Sequence, residues 1–566
     1  MRNNGWAKVG YVLAEGDSNA IYFREVIEHF GLRAERFDSI EAALGCDIVL
    51  LCGYGETSMT ESTHLETWVE QGGSLIACGS AWGLEDLFGL AGAPNHVSNG
   101  VLQPVQTPLW PEHAAPIRFF GGKFFAHLTG AKTLLATTCG RHAITSCQRG
   151  EGSTWYYAPH LGQTFKLMQL GRGVECDAIG PVDGSAVLDD GILRSEDGIN
   201  LDFEQDRTQV EGESSPFFGH PHCDALKELF IRLLNEVIGA KGLRSLSLWH
   251  WPNHATGAAM VTFDCEEFEF DHVSRMQRML TMFGSRTTWL VAMPGYPADA
   301  YRQMRTWGYE VGLLYDADDT SGWHPEKLHI QFTAIGRLSS VPNIVSVRPV
   351  GGRWRGYTQF YESAQEAGAR VSLSKGGRQP GTQGFAFGTC HPFHPARKDG
   401  LHLTLEIPYL VFDPGSVTSD SVSDCILVQT AFRHGCFHLV SKPAAVLDPA
   451  CHSALRRTLS LCKQHRLEFM TPEEVYQHER ARRQARVSIK TLGSETILQL
   501  TSDVEIDGLS LLISGPRIEA ESKGRELTVT PVHRYGKTFN AITVRLEAKQ
   551  ALEISLKNTA ETLQAA

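Results

Sequence analysis

AAMVTFDCEEFEF, running from Ala258 to Phe270, is an apolar stretch that breaks off into carboxylates. A short apolar run of this kind reads as a strand buried on both faces, the sort that a parallel sheet requires. Val273 to Phe283 follows as an amphipathic helix, TTWLVAM (287–293) as a strand, YRQMRTWG (301–308) as a helix and YEVGLLYDADD (309–319) as a strand with an acidic turn. NIVSVRPVGG (343–352), a helix across Phe360 to Gly368 and the late apolar run CFHLVSKPAAV (436–446) continue the series. Acidic groups and an arginine at the C-terminal ends of successive strands predict a β/α barrel, with the chemistry gathered at its mouth.

Working toward the N-terminus, strand and helix signals alternate again. Lys8 to Ala14 reads as a strand, and Asp17 and Ser18 offer cap oxygens to a helix carrying Ile21, Phe23, Val26, Ile27 and Phe30 at helical spacing. Arg33 to Phe37, Asp47 to Cys52 and Ser74 to Cys78 are further strands, which predicts a doubly wound parallel sheet. AEGDSNA after the first strand has one glycine and no GxGxxG, so dinucleotide binding is not supported. From Val182 to Arg207 the Asp-Gly steps read as turns between short strands and lack calcium-loop spacing. His220 and His222 precede a helix from Asp224 to Ile238 and read as a satisfied structural pair.

Beyond Arg486 the character changes to short alternating runs, TILQLT, LSLLIS, ELTVTP and AITVRLE, which predict a small antiparallel β-sandwich. That module is read either as a carbohydrate-binding accessory or as structural packing. The fold class is therefore α/β multidomain, with boundaries expected at 1–245, 246–486 and 487–566. Arg480, Arg482, Arg483 and Arg486 form a basic run that reads as a solvated helix face.

Between His250 and about Arg486 the ordered motifs resemble the polysaccharide deacetylase (NodB-homology) family, whose fold is a distorted β/α barrel. The resemblance implies that Asp264 is the base and that Cys265 or Glu266 stands where a metal-binding carboxylate belongs. It puts Tyr309 at the first histidine-like position of the second motif, Leu314 at one ligand position and Asp318 near the other. Arg348, Pro349 and Gly351 match the Arg-Pro motif, while Lys442 precedes Pro443 where the family has a catalytic histidine, with His438 four residues earlier. The implied activity is hydrolysis of an amide or ester in an acetylated sugar, by a divalent metal (Zn, Mg or Mn) that lowers the pKa of bound water from about 15.7 toward about 7. Leucine supplies no ligand, so Glu266 and Asp318 are left as a two-carboxylate set suited to a harder ion.

In this scheme Asp264, Arg348 and Lys442 are the catalytic candidates, and Trp354 and Tyr357 are candidates for stacking on a sugar, with a core role as the alternative. The competing reading is a catalytically silent barrel that binds a carbohydrate or a protein partner, with Asp264 and Arg348 as a structural ion pair. His391 and His394 in GTCHPFHP read as a tight turn in preference to a replacement metal pair. EQGGSLIACGSAWGLEDLFGL (70–90) resembles the strand-to-helix turn of ThuA-like amidotransferase domains, but the G-x-C-x-G elbow is unmatched, so Cys78 reads as packing and not as a nucleophile.

The bulk numbers agree with a globular protein. In 566 residues, 42% are hydrophobic and 20% charged, and the net charge of -12 argues against nucleic acid as a partner. No apolar stretch approaches the roughly 20 residues needed to span a bilayer. Thirteen cysteines with no CxxC pair fit a reducing compartment, so a cytoplasmic location is expected, while the oligomeric state is not legible.

Overall fold

Nine consecutive buried residues, Gly257–Cys265, form a central strand with neighbours on both sides, as a strand without a polar face must. This computed structural model describes residues 5–105, 107–111, 115–317, 324–341, 343–397, 400–492 and 495–559. The chain divides into two compact units, one of residues 1–165, 225–254 and 478–566, the other of residues 166–224 and 255–477.

The second unit is built on a nine-stranded parallel sheet. Its strands are β1 (Gly257–Cys265), β2 (Thr288–Val291), β3 (Glu310–Tyr315), β4 (Ser346–Pro349), β5 (Val371–Ser372), β6 (Leu405–Glu406), β7 (Val411–Phe412), β8 (Cys436–Ser441) and β9 (Leu467–Phe469). They run in the order β6-β5-β4-β3-β2-β1-β8-β7, with β9 paired to the start of β1. Laid flat, the two end strands would lie about 34 Å apart at roughly 4.8 Å per spacing. Yet β6 and β7 are joined through residues 407–410 alone, a link that reaches at most about 18 Å. The sheet must therefore curl. The link crosses the seam with its own backbone: Ile407 N donates to Ser372 O (3.0 Å), Tyr409 N to Lys375 O (2.9 Å) and Leu410 N to His438 O (2.8 Å).

Helices return the chain from strand to strand, and their ends are set locally. Phe270–Phe283 buries Val273, Met276, Met279 and Leu280 at helical spacing and stops at Gly284, whose φ of 60° is left-handed. Asp448 accepts from Ala450 N and Cys451 N to start Pro449–Gln464. His438 sits in the seam of the curl, sharing a hydrogen bond with Thr262 Oγ1 (3.0 Å) and lying 3.3 Å from Ile407 O. Burial and the charge of Arg348 push its pKa down to about 3, so it is a neutral pin.

In the first unit the strands order as 132–136, 142–149, 152–157, 74–79, 48–53, 9–13 and 34–37. The last five are mutually parallel, and 142–149 and 132–136 add as an antiparallel margin. The tail forms two antiparallel sheets whose inner faces share a core of Leu498, Leu500, Leu509, Leu511, Ile542 and Ile554. Leu246–Leu248 joins that tail, pairing with 511–513.

Two local expectations are overturned. Arg482 and Arg483 are not a solvated face: Arg482 pairs with Glu479 at 2.6 Å, and Arg483 meets Glu25 at 2.7 Å and Glu479 at 2.7 Å. Helical spacing aims these two side chains inward, where the carboxylates offset the cost of burial. Residues 182–207 contain turns and the short 3-10 turn Ser195–Gly198, and no strand among the described residues, because their Asp side chains cap the backbone locally. All thirteen cysteines are free thiols. No helix among the described residues is long and apolar enough to cross a membrane.

At the N-terminal end of the curled sheet, Glu310 accepts from Thr288 Oγ1 (3.2 Å), Ser346 Oγ and Glu473 N (3.0 Å), and burial pushes its pKa up to about 7. Folding thus favours its neutral form: the stability tied to this carboxyl is complete below the ordinary carboxylate range and is lost as pH rises through about 7. The thermal midpoints of the parent and of Glu310→Gln should coincide near about pH 4 and diverge above about pH 5, the variant becoming the more stable. Parallel curves across that range would show that Glu310 is already ionised in the folded protein.

Candidate active site

Parallel strands deliver their last side chains to one rim. Along β1, Thr262 and Asp264 share a face, and Thr262 is the residue bonded to His438, so Asp264 points to the same interior. On β4, Arg348 stands in register with Leu314 of β3. The Arg348 guanidinium is 1% exposed and its Nε lies 3.6 Å from Asp264 Oδ2. Its flat face stacks on the ring of Tyr409 at 4.1 Å, and Tyr409 is held by its hydroxyl donating to Gly376 O at 2.9 Å.

Three further charged groups act on this pair. Lys442, exposed just past β8, and Arg378 draw the Asp264 pKa down, while Glu266, also exposed, pushes it up. Burial is the largest influence, and the Asp264 carboxyl is raised. Asp413, immediately after β7, is raised to about 6 by burial and by the charge of Asp264, against the pull of Lys442, Arg348 and Arg378. Its φ of 43° is left-handed, which breaks the strand alternation at that residue. Glu196, from the 166–224 stretch, accepts from Arg378 N (2.6 Å) and Thr382 Oγ1 (2.5 Å). Four carboxylates and three cations therefore act at one mouth.

Among the described residues, several of their atoms lack a hydrogen-bond partner. Asp264 Oδ1, Glu196 Oε2, Arg348 Nε and Nη1, and Arg378 Nε are buried and make no hydrogen bond. Each such atom costs about 1–3 kcal/mol unless something bonds to it. Acceptors and donors interleaved in this way match hydroxyl groups, which both give and take hydrogen bonds.

The expected site residues divide. Asp264 and Arg348 meet, and Lys442 and Glu266 act on them electrostatically. Asp318 lies outside the described residues. Trp354 is fully buried, donates to Gly356 O (3.2 Å) and is covered by the Lys375 ammonium at 4.1 Å, so the stacking face expected of it is already occupied. Tyr357 is half-buried, its phenol pushed up to about 12 by burial.

A divalent metal does not fit the donors that the described residues bring to this mouth. Leu314, in register with Arg348, is fully buried and offers no ligand atom, and the guanidinium stands against the carboxylate a cation would need. Among the described residues no trio of ligand atoms gathers around Asp264. One trio does form elsewhere in this unit: ligand atoms of Asp224, Cys390 and His391 lie within 4.8 Å of one another, close enough to share a cation. Asp224 there already accepts from Thr389 Oγ1 (2.6 Å) and from Cys390 N (2.7 Å), and His391 Nε2 lies 2.9 Å from Arg433 O. His394 instead bonds His402 O (3.0 Å), so His391 and His394 do not converge.

In the other unit Cys78 is fully buried and its thiol is pushed well up by burial. The neighbouring strand ends hold Asp17 and His160, 2.7 Å apart. Asp17 also accepts from Asn19 N and Tyr54 N, and its pKa is drawn down to about 2 against burial, chiefly by His160. His160 Nδ1 accepts from Gln163 N at 3.0 Å, so both ring nitrogens are engaged. This pair fastens loops.

No family model matches the sequence, and no curated protein matches it. Solved structures with similar parts include Agd3, a carbohydrate deacetylase, 8% identical over 98% of this chain and 99% of that one, with a TM-score of 0.42. A polysaccharide deacetylase from Mycobacterium smegmatis is 15% identical over 41% of this chain and 92% of that one, with a TM-score of 0.31. An exo-beta-1,4-mannosidase from Opitutaceae bacterium strain TAV5 is 14% identical over 28% of this chain, with a TM-score of 0.23, and this chain spans about a third (32%) of its length.

Sequence reasoning missed Asp413, Tyr409, Arg378 and Glu196. Asp413 carries the same signal as Asp264, an apolar strand running into a carboxylate, but its strand is only two residues long. Arg378 and Glu196 come from irregular segments with no periodic signal. Because Lys442 lowers the Asp413 pKa, Lys442→Gln should raise it above about 6, a shift readable in the carboxyl carbon resonance of Asp413 across a pH titration. An unmoved midpoint would show that the ammonium does not face the mouth.

Proposed function

We propose that the curled sheet is a polysaccharide-deacetylase-like barrel whose mouth binds an acetylated sugar, or a related amide or ester, without a metal-activated hydrolase centre. The observation that carries this reading is the Arg348 guanidinium packed against Asp264, in register with Leu314, where a metal would need ligands. The order of Asp264, Arg348-Pro349-Gly351 and Lys442 at the ends of β1, β4 and β8 supports the family reading. The unpartnered donors and acceptors support a polyhydroxylated ligand.

A second reading has one observation in its favour. The Asp264 carboxyl is raised and keeps one oxygen unpartnered, which suits a general base. In that case Asp264 takes a proton from water as its oxygen attacks the acetyl carbon, and Arg348 and Lys442 stabilise the oxyanion formed as the C=O opens. Its collapse breaks the bond to the sugar nitrogen or oxygen, which leaves with the proton from Asp264 as acetate is released. The ThuA-like reading of the N-terminal sheet is kept only as a relation of fold, since Cys78 is inaccessible.

Calorimetry with chito-oligosaccharides, together with assay of released acetate, separates the two readings. Binding should be measurable with no acetate released, with or without added Zn²⁺ or Mn²⁺. Asp264→Asn and Arg348→Met should each weaken it about tenfold or more, as expected when a charged hydrogen-bonding group is lost. Acetate release that Asp264→Asn abolishes would establish the hydrolase instead. Absence of both binding and release would overturn the carbohydrate assignment.

A further inference from the structure

The unit that carries the tail contains a cavity of ≈ 900 Å³, within the range that small-molecule sites occupy. Three cations, Arg244, Lys537 and Lys557, line it, and among the described residues no carboxylate does. In a chain of net charge -12 this is a local reversal of sign. Two of the three charges are already matched: Lys537 lies 3.4 Å from Glu236, and Lys557 stands in register between Glu495 and Glu519. Arg244 is different. Burial alone acts on its pKa, drawing it down, with no acidic group to offset the cost. Among the described residues its side chain bonds only Asn558 Oδ1, through Nη2 at 2.6 Å, and approaches the Trp6 ring at 5.9 Å.

The cavity walls make room for these cations. A Cβ on Gly515 would stand 3.0 Å from Arg244 Nε, and one on Gly239 would stand 3.2 Å from Lys537 Nζ. The remaining surface includes the hydroxyls of Thr496, Ser514 and Thr538 and the indole of Trp6, which donates to Thr496 Oγ1 at 3.5 Å. A guanidinium that spends one of its five N–H donors among the described residues matches a planar carboxylate, while hydroxyls and an indole match a sugar ring.

We propose that this cavity binds an acidic sugar, a uronic-acid oligosaccharide whose carboxylate pairs with Arg244. The site is independent of the barrel mouth, which is tested on neutral oligosaccharides, so either reading can fail while the other stands.

The test is calorimetry of the full chain with trigalacturonate, with its fully methyl-esterified form and with inorganic phosphate. Trigalacturonate should bind, and the neutral ester should bind about tenfold or more weakly, because the charged pair is lost. Arg244→Gln should cause a similar loss, and added salt should weaken the acid form more than the ester. Should Arg244→Gln lose its native circular dichroism, Lys537→Gln, at a side chain one-third exposed, should still lower affinity for the acid form alone. Equal binding of acid and ester, phosphate binding as tight as trigalacturonate, or variants that bind like the parent would each overturn the proposal.

Discussion

A guanidinium taken out of water must be given a carboxylate, an aromatic face or both, and Arg348 receives both. Its carboxylate belongs to β1, three strand spacings away from β4, or about 14 Å across a flat sheet. The two side chains meet at 3.6 Å because the sheet curls. The aromatic face belongs to Tyr409, in the link that draws the two ends of the sheet together. Closure of the seam and burial of the arginine are thus one constraint seen from two sides.

That constraint also shapes the chemistry of the mouth. A cation fixed against Asp264 competes with any metal for the same carboxylate, and Leu314 beside it supplies packing where a ligand would be needed. Among the described residues, Asp264, Glu266, Asp413 and Glu196 stand against Arg348, Arg378 and Lys442. Burial raises both aspartates, so the mouth holds its protons more tightly than free carboxyls would.

Strand-end polar clusters occur in both units, and they differ in saturation. In the N-terminal sheet both Asp17 oxygens and both His160 ring nitrogens are engaged with each other and with nearby backbone. At the barrel mouth five buried atoms have no hydrogen-bond partner among the described residues. A saturated cluster is architecture, since a ligand would have to displace bonds already made. An unsaturated one is where binding lowers the free energy.

The periodic strands and helices were legible in the sequence, because alternation of buried and exposed positions is a local consequence of strand and helix geometry. The antiparallel tail announces itself this way, whereas the parallel strands at 9–13, 48–53 and 257–265 show instead as short continuous apolar runs, with Asp264 and Arg348 at the ends of such runs. Asp413 followed a strand too short to show a period, and Glu196 and Arg378 sat in irregular chain, so their convergence was invisible. The Arg482–Arg483 pair reads as a surface group, and Trp354 equally as a sugar platform or as core, because sequence shows a residue's type and not what covers it. Which segments share a core, and which charged groups lose their water and must find partners, depends on contacts between residues far apart in the chain. Those contacts exist only once the sheet has curled and closed.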